Sequence, residues 1–133
     1  MAIGPNCLRL LKEAHALQAS DLLIVAGSAP SVYVSARLKP LGDRVLGAEE
    51  ASNLILEILD DHQRARLEQE RDVDFSIASA EIGRCRVNVH YQRGSLAAAI
   101  RFVRDAVPDF AGLGLPDVVA DFARLPRGLV LIT

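Results

Sequence analysis

The chain has 133 residues and a mass of 14.4 kDa, which suits a single domain. Half of its residues are hydrophobic and 24% are charged, a composition that excludes an intrinsically disordered chain. The formal net charge is −2, whereas general nucleic-acid binders are usually basic, so nucleic acid is not an expected partner.

The N-terminal third is predicted to hold one helix and two strands. Asn6 is suited to cap a helix over residues 7–18, where apolar side chains recur at helical spacing. The apolar run Leu22–Ala26 is typical of a buried strand. Alternation over residues 31–38 predicts one further strand, with four apolar side chains on one face: Val32, Val34, Ala36 and Leu38.

Two helices are predicted next. Residues 48–59 place five apolar side chains on one helical face: Ala51, Leu54, Ile55, Ile58 and Leu59. Asp61 is suited to cap a second helix that runs to about Glu70. That second helix is mostly charged, so we expect most of its surface to be exposed.

The middle of the chain is rich in predicted strands. Val73, Phe75 and Ile77 alternate with polar residues, and residues 84–92 alternate more regularly. One face of the latter strand is apolar and the other is polar: Cys85, Val87, Val89 and Tyr91 against Arg84, Arg86, Asn88, His90 and Gln92. Arg93-Gly94-Ser95 predicts a hairpin turn, after which residues 96–103 return as a strand that carries Arg101.

The C-terminal part changes in character. Residues 111–116 read as a linker with short helical turns, and residues 117–125 fit a helix. Residues 128–133 form an apolar run of the kind found in the centre of a parallel sheet. From the pattern alone, this run is either a strand that belongs to another domain or the last strand of this domain's own sheet.

The sequence provides no recognisable catalytic or metal-binding set. Cys7 and Cys85 lie far apart without a second Cys or His at ligand spacing, and two lone thiols fit a reducing cytoplasm. His90 reads as an ordinary exposed histidine, and Cys85 as a small buried hydrophobic residue. No Ser-His-Asp set, paired carboxylates or complete glycine-rich phosphate loop can be assembled. We therefore expect no catalytic residue and no metal site.

Arginines on one polar face are the candidate binding residues. An antiparallel pairing through the turn at residues 93–95 would bring Arg86 and Arg101 together on one face. Two neighbouring guanidinium groups repel each other unless an anion lies between them, and phosphate suits their planar donor fork. The alternative is that these arginines are solvated or pair with one of three carboxylates: Asp72, Asp74 or Glu81.

Five motifs occur in a fixed order along residues 19–133. They are Ala19-Ser20-Asp21-Leu22 followed by Gly27 and Pro30; Asp72-Val73-Asp74-Phe75-Ser76; Gly83-Arg84-Cys85-Arg86-Val87-Asn88-Val89 followed by Gln92-Arg93-Gly94; Gly112-Leu113-Gly114-Leu115-Pro116; and the segment from Pro126 to Thr133. Together they resemble the N-terminal half of the type IV pilus retraction ATPases, the PilT group of the type II/IV secretion ATPase family. In that family the last motif leads directly into the Walker A loop, so the chain is expected to stop just before it.

The chain also departs from the family pattern. Leu23 stands where the opening motif has a His, and Cys85 replaces a Phe. Ser35-Ala36 stands where the family usually turns between two strands at Asp-Gly. The resemblance is therefore to a divergent member.

The resemblance implies an α+β fold. Residues 1–106 would be a PAS-like N-terminal domain, with a small mixed or antiparallel sheet and packed helices. Residues 107–126 would be an interdomain linker with a short helix. Residues 127–133 would be the first strand of a RecA-like ATPase domain whose remainder is absent.

The resemblance also implies a role. The domain would form inter-subunit interfaces in a hexameric motor ATPase, packing against the RecA-like domains of its own and the neighbouring subunit. Arg86 and Arg101, and secondarily Arg93 and Arg84, would contact nucleotide phosphates. The full-length parent would bind ATP and Mg²⁺ and hydrolyse ATP, whereas this fragment alone would bind none tightly and would not be catalytic.

The expected location is the cytoplasm, peripheral to the inner membrane, where the parent would act on a pilus platform protein. The alternative function is a stand-alone PAS-like module that binds a small ligand or mediates dimerisation.

Overall fold

Six strands build the central sheet of the molecule. In the computed structural model, which describes residues 3–103 and 106–131, they are β1 (Asp21–Val25), β2 (Ser31–Val34), β3 (Arg37–Pro40), β4 (Asp72–Ser79), β5 (Gly83–Gln92) and β6 (Ser95–Val103). Their order across the sheet is β3-β2-β1-β6-β5-β4. All five pairings are antiparallel, which confirms the α+β class and selects the antiparallel form of the predicted sheet.

In the described part of the chain, four helices accompany the sheet: α1 (Pro5–Ala16), α2 (Ala48–Leu56), α3 (Asp61–Glu70) and α4 (Val118–Phe122). α1 begins at Pro5 with Gly4 as its N-cap, so the predicted cap at Asn6 was wrong. Proline suits this first helical position because its fixed φ is helical and its missing N–H would have no partner there. The cap of α3 is Asp60 and not Asp61, because the Asp60 carboxylate accepts a hydrogen bond from the backbone N–H of Gln63 at 2.8 Å.

Residues 31–40 form a hairpin, not the single strand that the alternation predicted. The chain reverses at Ser35 and Ala36, whose φ angles are +50° and +60°. This is the position where the family resemblance indicated a turn. The alternation carried no signal of the reversal because neither turn residue is a glycine, the usual marker of positive φ.

The two faces of the sheet differ in their surroundings. On the inner face, α1 and α2 pack against the centre of the sheet and α3 packs along β4. The largest fully buried side chains of the core include residues of α1, of α2 and the segment after it, and of the sheet: Leu11, Leu22, Ile24, Ile55, Ile58 and Ile100. As predicted, Cys85, Val87 and Val89 of β5 are buried. We call the opposite side, which carries the polar side chains of β4 and β5, the outer face.

Residues 106–131 are mostly exposed. The predicted helical turns are present at residues 110–114, but α4 has only five residues where the sequence predicted a helix over 117–125. Gly128–Leu131 has no regular secondary structure, with Leu129 82% exposed and Leu131 77% exposed. Ile132 and Thr133, the end of the predicted last strand, lie outside the described residues. The assignment of this segment to a second domain stays a prediction.

No helix within the described ranges has both the length and the hydropathy that a bilayer crossing requires.

Candidate functional site

The outer face of β5 and β6 carries the predicted cluster of arginines. In the β5–β6 register, Arg86 lies directly opposite Arg101. Directly opposite residues of an antiparallel pair share one face, with Cα atoms about 4.5–5.5 Å apart. The predicted juxtaposition of Arg86 and Arg101 is therefore present, and both side chains are about 70% exposed.

Each of these arginines has a carboxylate partner on the neighbouring strand. The Nε–H of Arg86 donates to Oδ1 of Asp74 at 3.2 Å, and the Nε–H of Arg101 donates to Oδ1 of Asp21 at 2.8 Å. The sequence named Asp74 as an alternative partner but missed Asp21. Asp21 is opposite Arg101 only because β1 pairs with β6, a contact between residues 80 positions apart that no local pattern encodes.

The Asp21 carboxylate is held in place more firmly than that of Asp74. Its Oδ2 accepts a hydrogen bond from the hydroxyl of Ser20 at 2.8 Å, and its side chain is only 20% exposed, against 48% for Asp74. Asp21 is thus a fixed carboxylate, whereas its partner Arg101 is largely in solvent.

The two secondary arginines lie in different places. Arg84 is opposite Val103 at the same end of β5 as Arg86, so its side chain belongs to the same part of the outer face. Arg93 lies in the turn at the other end, seven residues from Arg86, which corresponds to about 23 Å along a strand. The structure therefore brings Arg84 and Arg86 together with Arg101 and leaves Arg93 apart.

A hydrogen-bonded row of polar side chains continues along the outer face. The Nδ2 of Asn88 donates to Oδ1 of Asp72 at 3.0 Å, and the Oδ1 of Asn88 lies 2.8 Å from Nδ1 of His90. Because that amide oxygen only accepts, Nδ1 of His90 carries the proton. Asn88 thus links His90 to Asp72, the residue directly opposite His90 in the β4–β5 register.

The cysteines face the core and not the site. Cys7 and Cys85 are both fully buried and free. Burial raises the pKa of the Cys7 thiol to about 12, with a further contribution from the charge of Glu57, and burial raises the pKa of Cys85 to about 11. Cys85 is therefore a buried, protonated hydrophobic residue, as predicted.

One groove of the molecule lies apart from the arginines. Its volume is about 880 Å³, and it lies at the end of α1, between the β2–β3 turn and the end of β6. Its lining includes His15, Ser20, Ser35 and Phe102 but neither Arg86 nor Arg101. Among the described residues, no group of three or more His, Cys, Asp or Glu side chains is placed to hold a metal ion.

Comparison with known proteins relates the chain to pilus motors. No family model matches it. The type IV pilus ATPase PilU of Pseudomonas aeruginosa is 32% identical over 112 residues, which are 84% of this chain and 29% of the relative. A twitching motility protein of Neisseria gonorrhoeae is 29% identical over 131 residues, or 98% of this chain and 35% of the relative.

A solved structure gives the same relationship. The crystal structure of the pilus retraction motor PilT with bound ADP matches 89% of this chain and 35% of its own, with a TM-score of 0.74 and 38% identity. The chain thus spans about a third of the length of the relatives that it matches.

Proposed function

Since the chain is homologous to the PilT-type pilus retraction ATPases over about a third of their length, we propose that it is the N-terminal domain of such a motor. The observation that carries the proposal is the match to the PilT structure with ADP over 89% of this chain. In this proposal, residues 1–106 form the PAS-like domain, residues 107–126 the linker, and residues 127–133 the first strand of a RecA-like domain.

In the proposed motor, Arg86 and Arg101 contact the phosphates of a bound nucleotide, and Arg84 supports them. The site suits an anion because Arg86 and Arg101 lie opposite each other on one face of the sheet and are mostly exposed. Each uses only its Nε–H on a carboxylate, so within the described residues the terminal nitrogens of both have no hydrogen-bond acceptor. Those terminal nitrogens form the planar fork that matches two phosphate oxygens.

The outer face is the proposed inter-subunit surface of a homohexameric ring. It supports an interface because the helices α1–α3 pack on the other side of the sheet, which leaves Leu23, Val25 and Ala99 only half-buried. Half-buried aliphatic side chains with polar residues around them match the apolar core and polar rim of a protein–protein interface. The proposed occupant is the RecA-like domain of the neighbouring subunit.

ATP and Mg²⁺ belong to the proposed full-length parent, where the magnesium ion would neutralise charge on the phosphates during hydrolysis. Phosphoryl transfer needs a lysine-bearing phosphate loop, and the sequence contains no G-x-x-x-x-G-K-S/T motif. We propose that the fragment is not catalytic alone. The parent would act in the cytoplasm on an inner-membrane pilus platform protein.

The first experiment is to sequence the native reading frame beyond Thr133. Continuation into a G-P-x-G-S-G-K-S/T loop and a RecA-like domain supports the proposal, whereas a stop codon favours the stand-alone PAS-like module. In the continued protein, Arg86→Gln and Arg101→Gln should each lower ATP turnover about 10- to 100-fold, as expected for the loss of a hydrogen bond to a charged group.

Arg66→Gln is the matched control for these variants. Arg66 is also an exposed arginine paired with a carboxylate, Glu70, but it lies on α3, away from the outer face. Turnover in the Arg66→Gln variant should be unchanged. Equal turnover in all three variants would remove the arginines from the proposed site while leaving the relationship to the motor intact.

A further inference from the structure

The two ion pairs of the outer face share one arrangement. In both, a single carboxylate oxygen accepts a hydrogen bond from an arginine Nε–H. Each aspartate lies on the strand that flanks the β5–β6 pair on the side of its own arginine. Asp21 lies on β1 beside Arg101, and Asp74 lies on β4 beside Arg86. Across the strands β1, β6, β5 and β4, the charges are therefore negative, positive, positive and negative.

This arrangement balances the charge of the arginine pair. Arg86 and Arg101 repel each other across the β5–β6 pairing, and each aspartate offsets one of the two positive charges. An incoming anion meets two nearly neutral pairs and not two free cations. The carboxylates thus lower the affinity of the face for any anion that does not outcompete them.

We propose that Asp21 and Asp74 are counter-ions that hold Arg101 and Arg86 in neutral pairs until a polyphosphate chain binds the guanidinium groups in their place. This inference rests on the proposed function, because it assumes that these arginines bind phosphate. The two aspartates are then positioning residues: they set which anions the face accepts without touching the phosphate.

When a polyphosphate replaces the aspartates as partner, we expect the arginine side chains to move and the aspartate side chains to stay in place. Arg101 is 71% exposed, while Asp21 is 20% exposed and its second oxygen is bound by Ser20. The Asp74 pair is longer, at 3.2 Å, and more exposed on the acidic side. Arg101 is therefore the more tightly held arginine, and removal of Asp21 should have the larger effect.

The test measures binding of inorganic tripolyphosphate to the ¹⁵N-labelled chain by NMR, with the arginine Nε–H resonances as the signal. Asp21→Asn should tighten binding about fivefold and Asp74→Asn about threefold, and the double variant should tighten it about 15-fold, as expected for the loss of one like charge each near the surface. The Nε–H signals of Arg101 and Arg86 should shift in the respective variants before any tripolyphosphate is added.

The control is the double variant Glu13→Gln/Glu70→Gln, which adds the same charge at two exposed helical ion pairs elsewhere. Its tripolyphosphate affinity should match that of the unchanged chain. If the control binds as tightly as the Asp21→Asn/Asp74→Asn variant, the effect is due to overall charge and the inference is overturned. No detectable binding by the Asp21→Asn/Asp74→Asn variant would overturn it as well.

The variant Arg86→Gln/Arg101→Gln separates this inference from the proposed function. If it binds tripolyphosphate as the unchanged chain does, the arginines do not bind phosphate and the proposed function loses its site. If it binds more weakly but neither aspartate variant binds more tightly, only the counter-ion role is lost. Should Asp21→Asn fail to fold, Asp74→Asn alone applies the same test at the more exposed carboxylate.

Discussion

The carboxylate of Glu57 accepts a hydrogen bond from the backbone N–H of Cys7 at 2.8 Å, across 50 residues of sequence. Its other oxygen accepts from Nδ2 of Asn6 at 2.7 Å, and the backbone carbonyl of Glu57 accepts from the N–H of Gly4. Gly4 supplies no side-chain cap to α1, so Glu57, at the end of α2, takes that role. The start of one inner-face helix is thereby fastened to the end of the next.

Glu57→Ala should lower the free energy of unfolding by about 1 kcal/mol, the usual cost of a lost N-cap interaction. Urea denaturation followed by circular dichroism measures the change. Gly4→Ala should have a similar effect, because a Cβ at Gly4 would lie 2.6 Å from the Glu57 side chain and displace it.

Glu13→Gln is the control for this cap. The Glu13 side chain forms an exposed ion pair with Arg9, and such pairs contribute little to stability. The urea midpoint of the Glu13→Gln variant should therefore stay close to that of the unchanged chain. A Glu57→Ala variant as stable as Glu13→Gln would contradict the capping role.

Local patterns of the sequence were sufficient for most elements of the fold. The alternation in β5 predicted which side chains are buried, because a strand places successive residues on opposite faces. The Arg93-Gly94 turn also predicted the β5–β6 hairpin, which alone sets Arg86 opposite Arg101. The arginine pair could therefore be predicted from about 20 consecutive residues.

Contacts between distant segments could not be predicted in this way. Asp21 reaches Arg101 only after β1 has docked beside β6, and Glu57 reaches Cys7 only after α1 has packed on α2. Neither carboxylate has a local feature that marks its partner. The sequence therefore located the arginines of the site but only one of the two aspartates that hold them.

The cap of α3 allows a direct comparison of two neighbouring aspartates. Asp60→Ala should lower the free energy of unfolding by about 1 kcal/mol, because it removes the carboxylate that accepts from the Gln63 N–H, while the backbone N–H of Asp60 can still donate to Oε1 of Gln63. Asp61→Ala should cost about half as much or less, since Asp61 contributes only a charge near the helix N-terminus. If urea denaturation shows an equal loss of stability for both variants, or a larger loss for Asp61→Ala, then Asp61 is the cap of α3, as the sequence predicted.

The turn between β2 and β3 contains a residue that a glycine should improve. Ala36 has a φ of +60°, a conformation that costs an L-residue about 1–2 kcal/mol and costs glycine little steric strain. Ala36→Gly should therefore raise the free energy of unfolding by up to about 1 kcal/mol, visible as a higher melting temperature.

Gly94→Ala, in the β5–β6 turn, is the reciprocal variant. Gly94 has a φ of +83° and open space where a Cβ would be added, so the variant should lose about 1–2 kcal/mol of unfolding free energy through the backbone alone. A Gly94→Ala variant of unchanged stability would show that these turns tolerate side chains at positive φ.

The buried thiols should make the protein less stable in alkaline solution. The pKa of Cys7 is raised to about 12 and that of Cys85 to about 11, whereas a thiol of the unfolded chain has a pKa near 9. Above pH 9 the unfolded state loses protons that the folded state keeps, so the free energy of unfolding falls as the pH rises. Each thiol should remove about 1 kcal/mol per pH unit between pH 9 and its folded pKa. Urea denaturation at pH 8, 9, 10 and 10.5 measures this slope.

The variant Cys7→Ala/Cys85→Ala isolates the contribution of the thiols, because every other titratable group is the same in both proteins. Alanine also leaves small cavities, which lower stability by a similar amount at every pH. The comparison therefore rests on the slope and not on the absolute value. The variant should keep a nearly constant free energy of unfolding over the range in which the unchanged chain loses about 2–3 kcal/mol, as the linkage of the two raised pKa values requires. Parallel slopes in the two proteins would mean that the thiols ionise as easily in the folded state as in the unfolded chain, and would contradict their burial in the core.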